Sequence, residues 1–445
     1  MTGVGNQQNL TGKQPQKEAV KDYELDWFRM DNAATLFSLV NSTRIPCMYR
    51  ISSTLNKPVN KTILKKALLN IMPRFPYYNV NMRRGLFWFY WETNEAKPKV
   101  IDENRYPVQR LPVTVRGEFP FAVLVYKNRI AVEMHHSLTD GTGSLTFLRA
   151  IVGEYLRLNG ATVEDWLDVF RPGQKQDQTE YEDAFKKNYQ KTVPDPSKVP
   201  RAFHLPFKLA PKGVYRIISG SMNVKEVLVQ AKKWNVTLTE YLVAVYLESL
   251  QKLLFSFPER QLKRNLKPIR LMVPVNLRRM YPSKTMRNFS LYVTPGIDPR
   301  LGSHSFEEIV KHVYHYMRVE ISDKYINQQI ARNVRGEVLP IVKVVPLFVK
   351  RLFGKTIYNG KGEFLYSGVL TNLGNVQMPE PLNEEIADFQ FIPAPSPVTK
   401  TGCAIASYKD ILYVNWGRNI NDTQVEKLFF RKLVKDGIKV RIETN

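Results

Sequence analysis

Two adjacent histidines, a carboxylate and a glycine fall within seven residues at His135-His136-Ser137-Leu138-Thr139-Asp140-Gly141. A neutral imidazole with an ordinary pKa near 6.5 can take a proton from an attacking hydroxyl, amine or thiol at neutral pH. A base so placed contributes about 10²–10⁴ in rate, and the chemistry this set suits is acyl transfer. Asp140 and Gly141 are read as the turn that follows, with glycine free to take positive φ and the carboxylate held beneath the histidines. The plain reading is one core histidine, one surface histidine and a common Asp-Gly turn.

Those side chains need a strand to carry them and a helix to brace them. Residues 121–126 and 130–134 are β-rich runs joined by Lys127-Asn128-Arg129, so the histidines stand at a strand end. Neighbouring strand side chains face opposite sides, so one histidine lines a cavity while the other packs into the layer behind. Residues 143–158 then carry Leu145, Leu148, Ile151, Val152, Tyr155 and Leu156 on one helical face, with Gly160 as the stop.

Earlier in the chain, Asn60 caps an expected helix over 61–72 that ends at Pro73, and 86–91 reads as a strand. Residues 161–212 loosen into a Pro-, Lys- and Gln-rich crossover, including Arg171-Pro-Gly173. Beyond it, strands are expected over 214–219, 271–276, 291–294, 364–370, 401–408 and 411–416. Helices are expected over 224–234, 306–319 and 422–436, and over 238–255 with Thr237 or Thr239 as cap. Residues 340–352 form a basic amphipathic stretch interrupted by Pro346; it suits either a membrane surface or a core-facing helix with a solvated basic face. The partition expected is a flexible 1–20, an N-terminal lobe over 21–160, a crossover over 161–212 and a C-terminal lobe over 213–445. Alternating helices and strands make both lobes mixed α/β.

Composition narrows the classes. The 445 residues are 43% hydrophobic and 24% charged, which is globular, and no run of about 18 apolar residues suggests a membrane span. The N-terminus lacks the pattern of a secretory signal, and Cys47 and Cys403 are far apart, so a cytoplasmic protein with reduced thiols is expected. His204, His304, His312 and His315 have no ligand-type spacing, which argues against a metal enzyme. A net charge of +24 suits nucleic acid, an anionic membrane face or a phosphorylated cofactor, or is simply a basic solvated surface. Scattered cations without a recognisable nucleic-acid motif disfavour the first.

The histidine segment resembles the HHxxxDG pattern of the chloramphenicol acetyltransferase-like superfamily, which includes condensation domains, plant acyltransferases and standalone alcohol acetyltransferases. Arg29-Met-Asp31, Arg74-Phe-Pro76, Val273-Pro-Val-Asn-Leu-Arg278 and Thr371-Asn-Leu-Gly374 follow in the family's order. The resemblance is nearest to the standalone alcohol acetyltransferases. Val414-Asn-Trp-Gly417 departs from the Asp-Phe-Gly-Trp-Gly segment of the plant branch.

The resemblance implies two related lobes with an active-site tunnel at their interface. It makes His136 the general base, His135 its supporting neighbour, and Asp140 a strut that pairs with an arginine across the lobes, for which Arg278 is the candidate. An ordinary surface position for Arg278 or Arg279 stays open. Thr371 and Asn372 are candidate oxyanion donors, or simply part of a turn. The implied co-substrate is acyl-CoA, with no permanently bound cofactor and a small alcohol or amine as acceptor. A carrier-protein thioester and peripheral membrane contact are the other partners to weigh.

Overall fold

The computed structural model describes residues 27–197 and 199–445, so the expected flexible stretch 1–20 lies outside the described residues. Three sheets organise the chain. A five-stranded sheet runs in the order Ile386–Ile392, Met48–Leu55, Arg129–His135, Phe121–Tyr126, Val100–Asp102. The strands flanking the turn at Lys127 pair antiparallel, from Phe121 opposite Met134 to Tyr126 opposite Arg129. This is the hairpin expected for the histidine segment, and it ends at His135.

Helices Lys61–Ile71 and Gly141–Leu158 cover that sheet, their buried faces joining Tyr49, Val123, Val132 and Met134 in one core. Asn60 caps the first by accepting from the N–H groups of Thr62 and Ile63. The second begins two residues earlier than its apolar periodicity suggests, because Asp140 caps it and accepts from Gly143 N–H at 3.3 Å.

The second half builds a larger sheet around Leu238–Phe255. Its path is Ser290–Val293, Ile269–Asn276, Gly368–Val376, Thr401–Tyr408, Ile411–Arg418, Arg216–Asn223, Arg441–Thr444, with Gly296–Ile297 also on Ile269–Asn276. Thr237, not Thr239, caps the central helix, in a capping box with Glu240. A third, three-stranded sheet joins Trp27–Arg29, Phe89–Thr93 and Val80–Arg84.

Some expectations change: the strand expected over 86–91 runs Phe89–Thr93, and a strand forms over Ile386–Ile392, where none is expected. The strand expected over 364–370 starts at Gly368 and runs to Val376. The stretch 340–352 divides into helices Pro340–Val344 and Leu347–Lys361, because Pro346 supplies no N–H to continue the first and stands as N-cap of the second. Strand Ile386–Ile392, drawn from the second half, pairs antiparallel with Met48–Leu55 and completes the first sheet.

The segment 161–212 is also well anchored. Glu180 accepts from both terminal nitrogens of Arg74, each at 2.7 Å, and from the Tyr77 hydroxyl at 2.9 Å, all of it buried. Among the described residues no helix is long and apolar enough to cross a membrane.

Candidate active site

The hairpin delivers the two histidines to different surroundings, as strand alternation requires. His135 is fully buried, and its Nδ1 accepts from the Ser137 backbone N–H at 3.2 Å and lies 2.6 Å from Ser137 Oγ. Accepting at Nδ1 puts the ring proton on Nε2, which is buried without a partner. Burial, with the neighbouring His136 and Arg110 adding to it, drives this pKa down to about 3.

His136 is partly accessible. Its ring stacks on Phe37 at 4.8 Å and 21°, and lies 4.2 Å from the Tyr49 ring. Its backbone is clamped from both sides: its N–H donates to Cys47 O at 2.8 Å and its carbonyl accepts from Asn288 Nδ2 at 2.9 Å. Among the described residues neither ring nitrogen has a hydrogen-bond partner. Aromatic walls strip water from the imidazolium and lower its pKa to about 4, while the Asp140 charge pulls it back up. At neutral pH the ring is therefore uncharged and able to accept a proton.

Asp140 faces away from the histidine. Its Oδ2 accepts from Arg278 Nη1 at 2.8 Å and Phe289 N–H at 2.9 Å, and its Oδ1 serves as the helix cap. Arg278 in turn donates Nε to Thr285 O at 3.0 Å and Nη2 to Arg287 O at 2.7 Å. A guanidinium spreading its donors over a carboxylate and two carbonyls fixes a geometry, and a buried pair of this kind contributes more to position than to net stability.

Gly141 acts differently from the expected turn residue. It is the first residue of helix Gly141–Leu158 and lies outside the left-handed region. Its missing side chain serves close approach, since a Cβ there would stand 2.8 Å from Leu373 Cδ2. Gly143 is tighter still, with Thr139 Oγ1 at 2.1 Å and Met286 O at 2.9 Å from such a Cβ.

The approach of Leu373 brings the expected Thr371-Asn-Leu-Gly374 segment to the motif. Thr371 pairs with Ala404, and the strand register shifts between Asn372 and Asn375. Asn372 points to the opposite layer, donating Nδ2 to Thr239 Oγ1 at 3.0 Å and accepting from Gly374 N–H at 2.8 Å. The structure thus brings Leu373 of this segment against the motif and engages the Asn372 amide elsewhere.

Sequence reasoning missed the loop Thr285–Phe289, which ties everything together. Met286 O accepts from Thr139 Oγ1 at 2.7 Å and Tyr78 OH at 3.0 Å. Arg287 donates to Arg29 O at 2.8 Å and stands 3.5 Å from Asp31. Most of these contacts use backbone groups, which leave no trace in residue types; only Asn288 could have drawn notice. Phe37 and Tyr49 were missed for the same reason, as aromatic residues in apolar runs read as core.

A cleft of about 320 Å³ opens beside the histidine strand end, between Arg44, Pro46, Arg110, Lys212 and Asn419. Pro46 on its wall adjoins Cys47, the residue that receives the His136 N–H. A cleft of about 540 Å³ lies elsewhere, along Asn375–Glu380, and neither histidine is in the wall of either cleft. Among the described residues no group of three His, Cys, Asp or Glu side chains could hold a metal ion.

No family model matches the sequence, and no curated protein matches it. Solved structures do match its fold. The trichothecene 15-O-acetyltransferase from Fusarium sporotrichioides superposes with a TM-score of 0.58 at 11% identity, covering 92% of this chain and 94% of that one. A variant starter condensation domain of rhizomide synthetase in complex with C8-CoA gives 0.58 at 12% identity, covering 92% and 93%. The nonribosomal peptide synthetase FmoA3 gives 0.55 at 14% identity over 92% of this chain, which spans only 42% of that longer protein. The chain therefore has the two-lobed mixed α/β fold of these condensation domains and this acetyltransferase.

Proposed function

We propose that this protein is an acyltransferase that moves an acetyl or longer acyl group from a coenzyme A thioester directly to an alcohol, with His136 as general base. The observation that carries the reading is the His136 imidazole itself: uncharged, walled by Phe37 and Tyr49, with neither ring nitrogen hydrogen-bonded among the described residues, at a junction built from both halves of the chain. The acceptor O–H gives its proton to the imidazole as its oxygen attacks the thioester carbonyl. The tetrahedral intermediate collapses with cleavage of the C–S bond, and the imidazolium returns the proton to the thiolate. No bond to the protein forms.

Asp140 and Arg278 hold the loop and the helix start in register across the halves, and the carboxylate's charge raises the basicity of His136. Of the two candidate oxyanion donors we assign the role to Thr371, since the Asn372 amide is occupied; such a donor contributes about 2.7–4 kcal/mol. Arg44, Arg110 and Lys212 beside the cleft supply cations for the phosphates of the donor.

The test combines purified protein, acetyl-CoA, a panel of alcohols and a reagent for free thiol. Thiol release dependent on both alcohol and His136 supports the reading; equal release by His136→Ala defeats it. Likeness to condensation domains favours a second reading, in which a carrier-protein thioester or an amine is used. Faster turnover with acyl-phosphopantetheine protein than with acyl-CoA, or with amines than with alcohols, would select it.

A further inference from the structure

Helix Leu347–Lys361 and the hairpin between Val80–Arg84 and Phe89–Thr93 share one surface. Leu347 N–H donates to Leu86 O at 2.8 Å. Lys350 Nζ donates to Phe87 O at 2.8 Å and sits 3.4 Å over the Trp88 ring, pinning helix to hairpin. Outward from that seam stand Val344, Phe348, Leu352, Phe353 and Leu86, each between 60% and 74% exposed. Phe348 and Leu352 lie one helical turn apart on Leu347–Lys361, while Val344 closes the preceding helix and Leu86 stands at the hairpin tip. Singly exposed apolar residues are ordinary, but a contiguous group of five large ones marks an interaction surface.

The charge around the ridge has one sign. From 339 to 361 the chain has no Asp or Glu and five Lys or Arg. Lys343 and Arg351 are exposed, and neither has an ion-pair partner among the described residues. The inner side of the same helix is committed to the protein, as Gly354 packs against Leu39 of helix Asn32–Val40. This leaves a helix docked on one side, with Phe348, Leu352 and Phe353 exposed on it and the cations Lys343 and Arg351 exposed beside them.

We propose that this ridge is a peripheral membrane-docking surface for an anionic bilayer. Apolar crests of this kind lie in the headgroup region while flanking cations meet acidic lipid, and the two contributions add. A second copy of the chain fits poorly, because like cations would face one another on a protein of net charge +24. A phosphate backbone would meet the cations and leave five apolar side chains in water. The proposal stands apart from the acyltransferase reading and survives its failure.

Sedimentation of the full chain with phosphatidylcholine vesicles, with and without phosphatidylglycerol, tests it. Partitioning on the order of tenfold stronger into the anionic vesicles, weakening as salt rises, is expected. The combined change Leu86→Ser, Phe348→Ser and Leu352→Ser is expected to lower binding at least about tenfold. Lys343→Glu with Arg351→Glu is expected to remove the preference for anionic lipid while leaving the apolar ridge intact, which guards against a folding defect in the first variant. No binding to anionic vesicles at low salt would overturn the proposal, as would equal binding by both variants. A dimer seen by light scattering and dissolved by the serine changes would replace it with self-association.

Discussion

At the scale of single residues, the basicity of the His136 imidazole is set by its walls. His136→Ala should lower kcat/KM by about 10²–10⁴ with an unchanged thermal melt. Because burial holds the ring near 4, the acid limb of the rate profile should fall near that value and well below 6.5, so activity stays flat from pH 8 to about 5. Asp140→Asn removes the charge that raises this pKa, so the acid limb should move lower still, and it leaves Arg278 with an uncharged partner. Loss of one member of a buried pair costs about 3–5 kcal/mol, measurable by denaturant unfolding. Gly143→Ala should be more damaging than Gly141→Ala, since its Cβ meets Thr139 and the fixed Met286 carbonyl, whereas Gly141 faces only the movable tip of Leu373.

At the scale of elements, the pieces that carry the site were the most readable. The hairpin at Phe121–His135, the helix beyond it, and Leu238–Phe255 follow from alternation, helical spacing and caps in the sequence itself. What could not be read is pairing at long range. The stretch Ile386–Ile392 alternates weakly, and nothing local says that its partner is Met48–Leu55. The crossover looked loose because prolines and lysines dominate it, yet a single buried carboxylate, Glu180, anchors it to Arg74. Glu180→Ala should therefore destabilise the whole chain by about 3–5 kcal/mol, despite lying in a segment of turns. Unfolding of that variant with and without Arg74→Met would separate the pair's own contribution from the cost of stranding the guanidinium.

At the scale of the molecule, two groups of buried titratable side chains pull stability in opposite directions. His135 and His136 resist protonation when folded, so the unfolded chain binds more protons from about 6.5 down to 4 and stability falls as pH drops through that range. Asp31 is raised to about 6, and Glu363 and Glu426 to about 7, chiefly by burial; the folded form keeps their protons, and stability falls as pH rises toward 7. A shallow profile between pH 5 and 7 is expected, and Glu363→Gln with Glu426→Gln should tilt it so that stability climbs with pH. Strand Ile386–Ile392 also has a bearing on how the protein is born. Once the histidine strand has joined Met48–Leu55, about 250 residues still separate that pair from this strand, a wait of roughly 12–50 s at ~5–20 residues per second. For that interval the edge next to the histidine strand has no neighbour, and a nascent chain must be kept from pairing with another copy before its own last strand arrives.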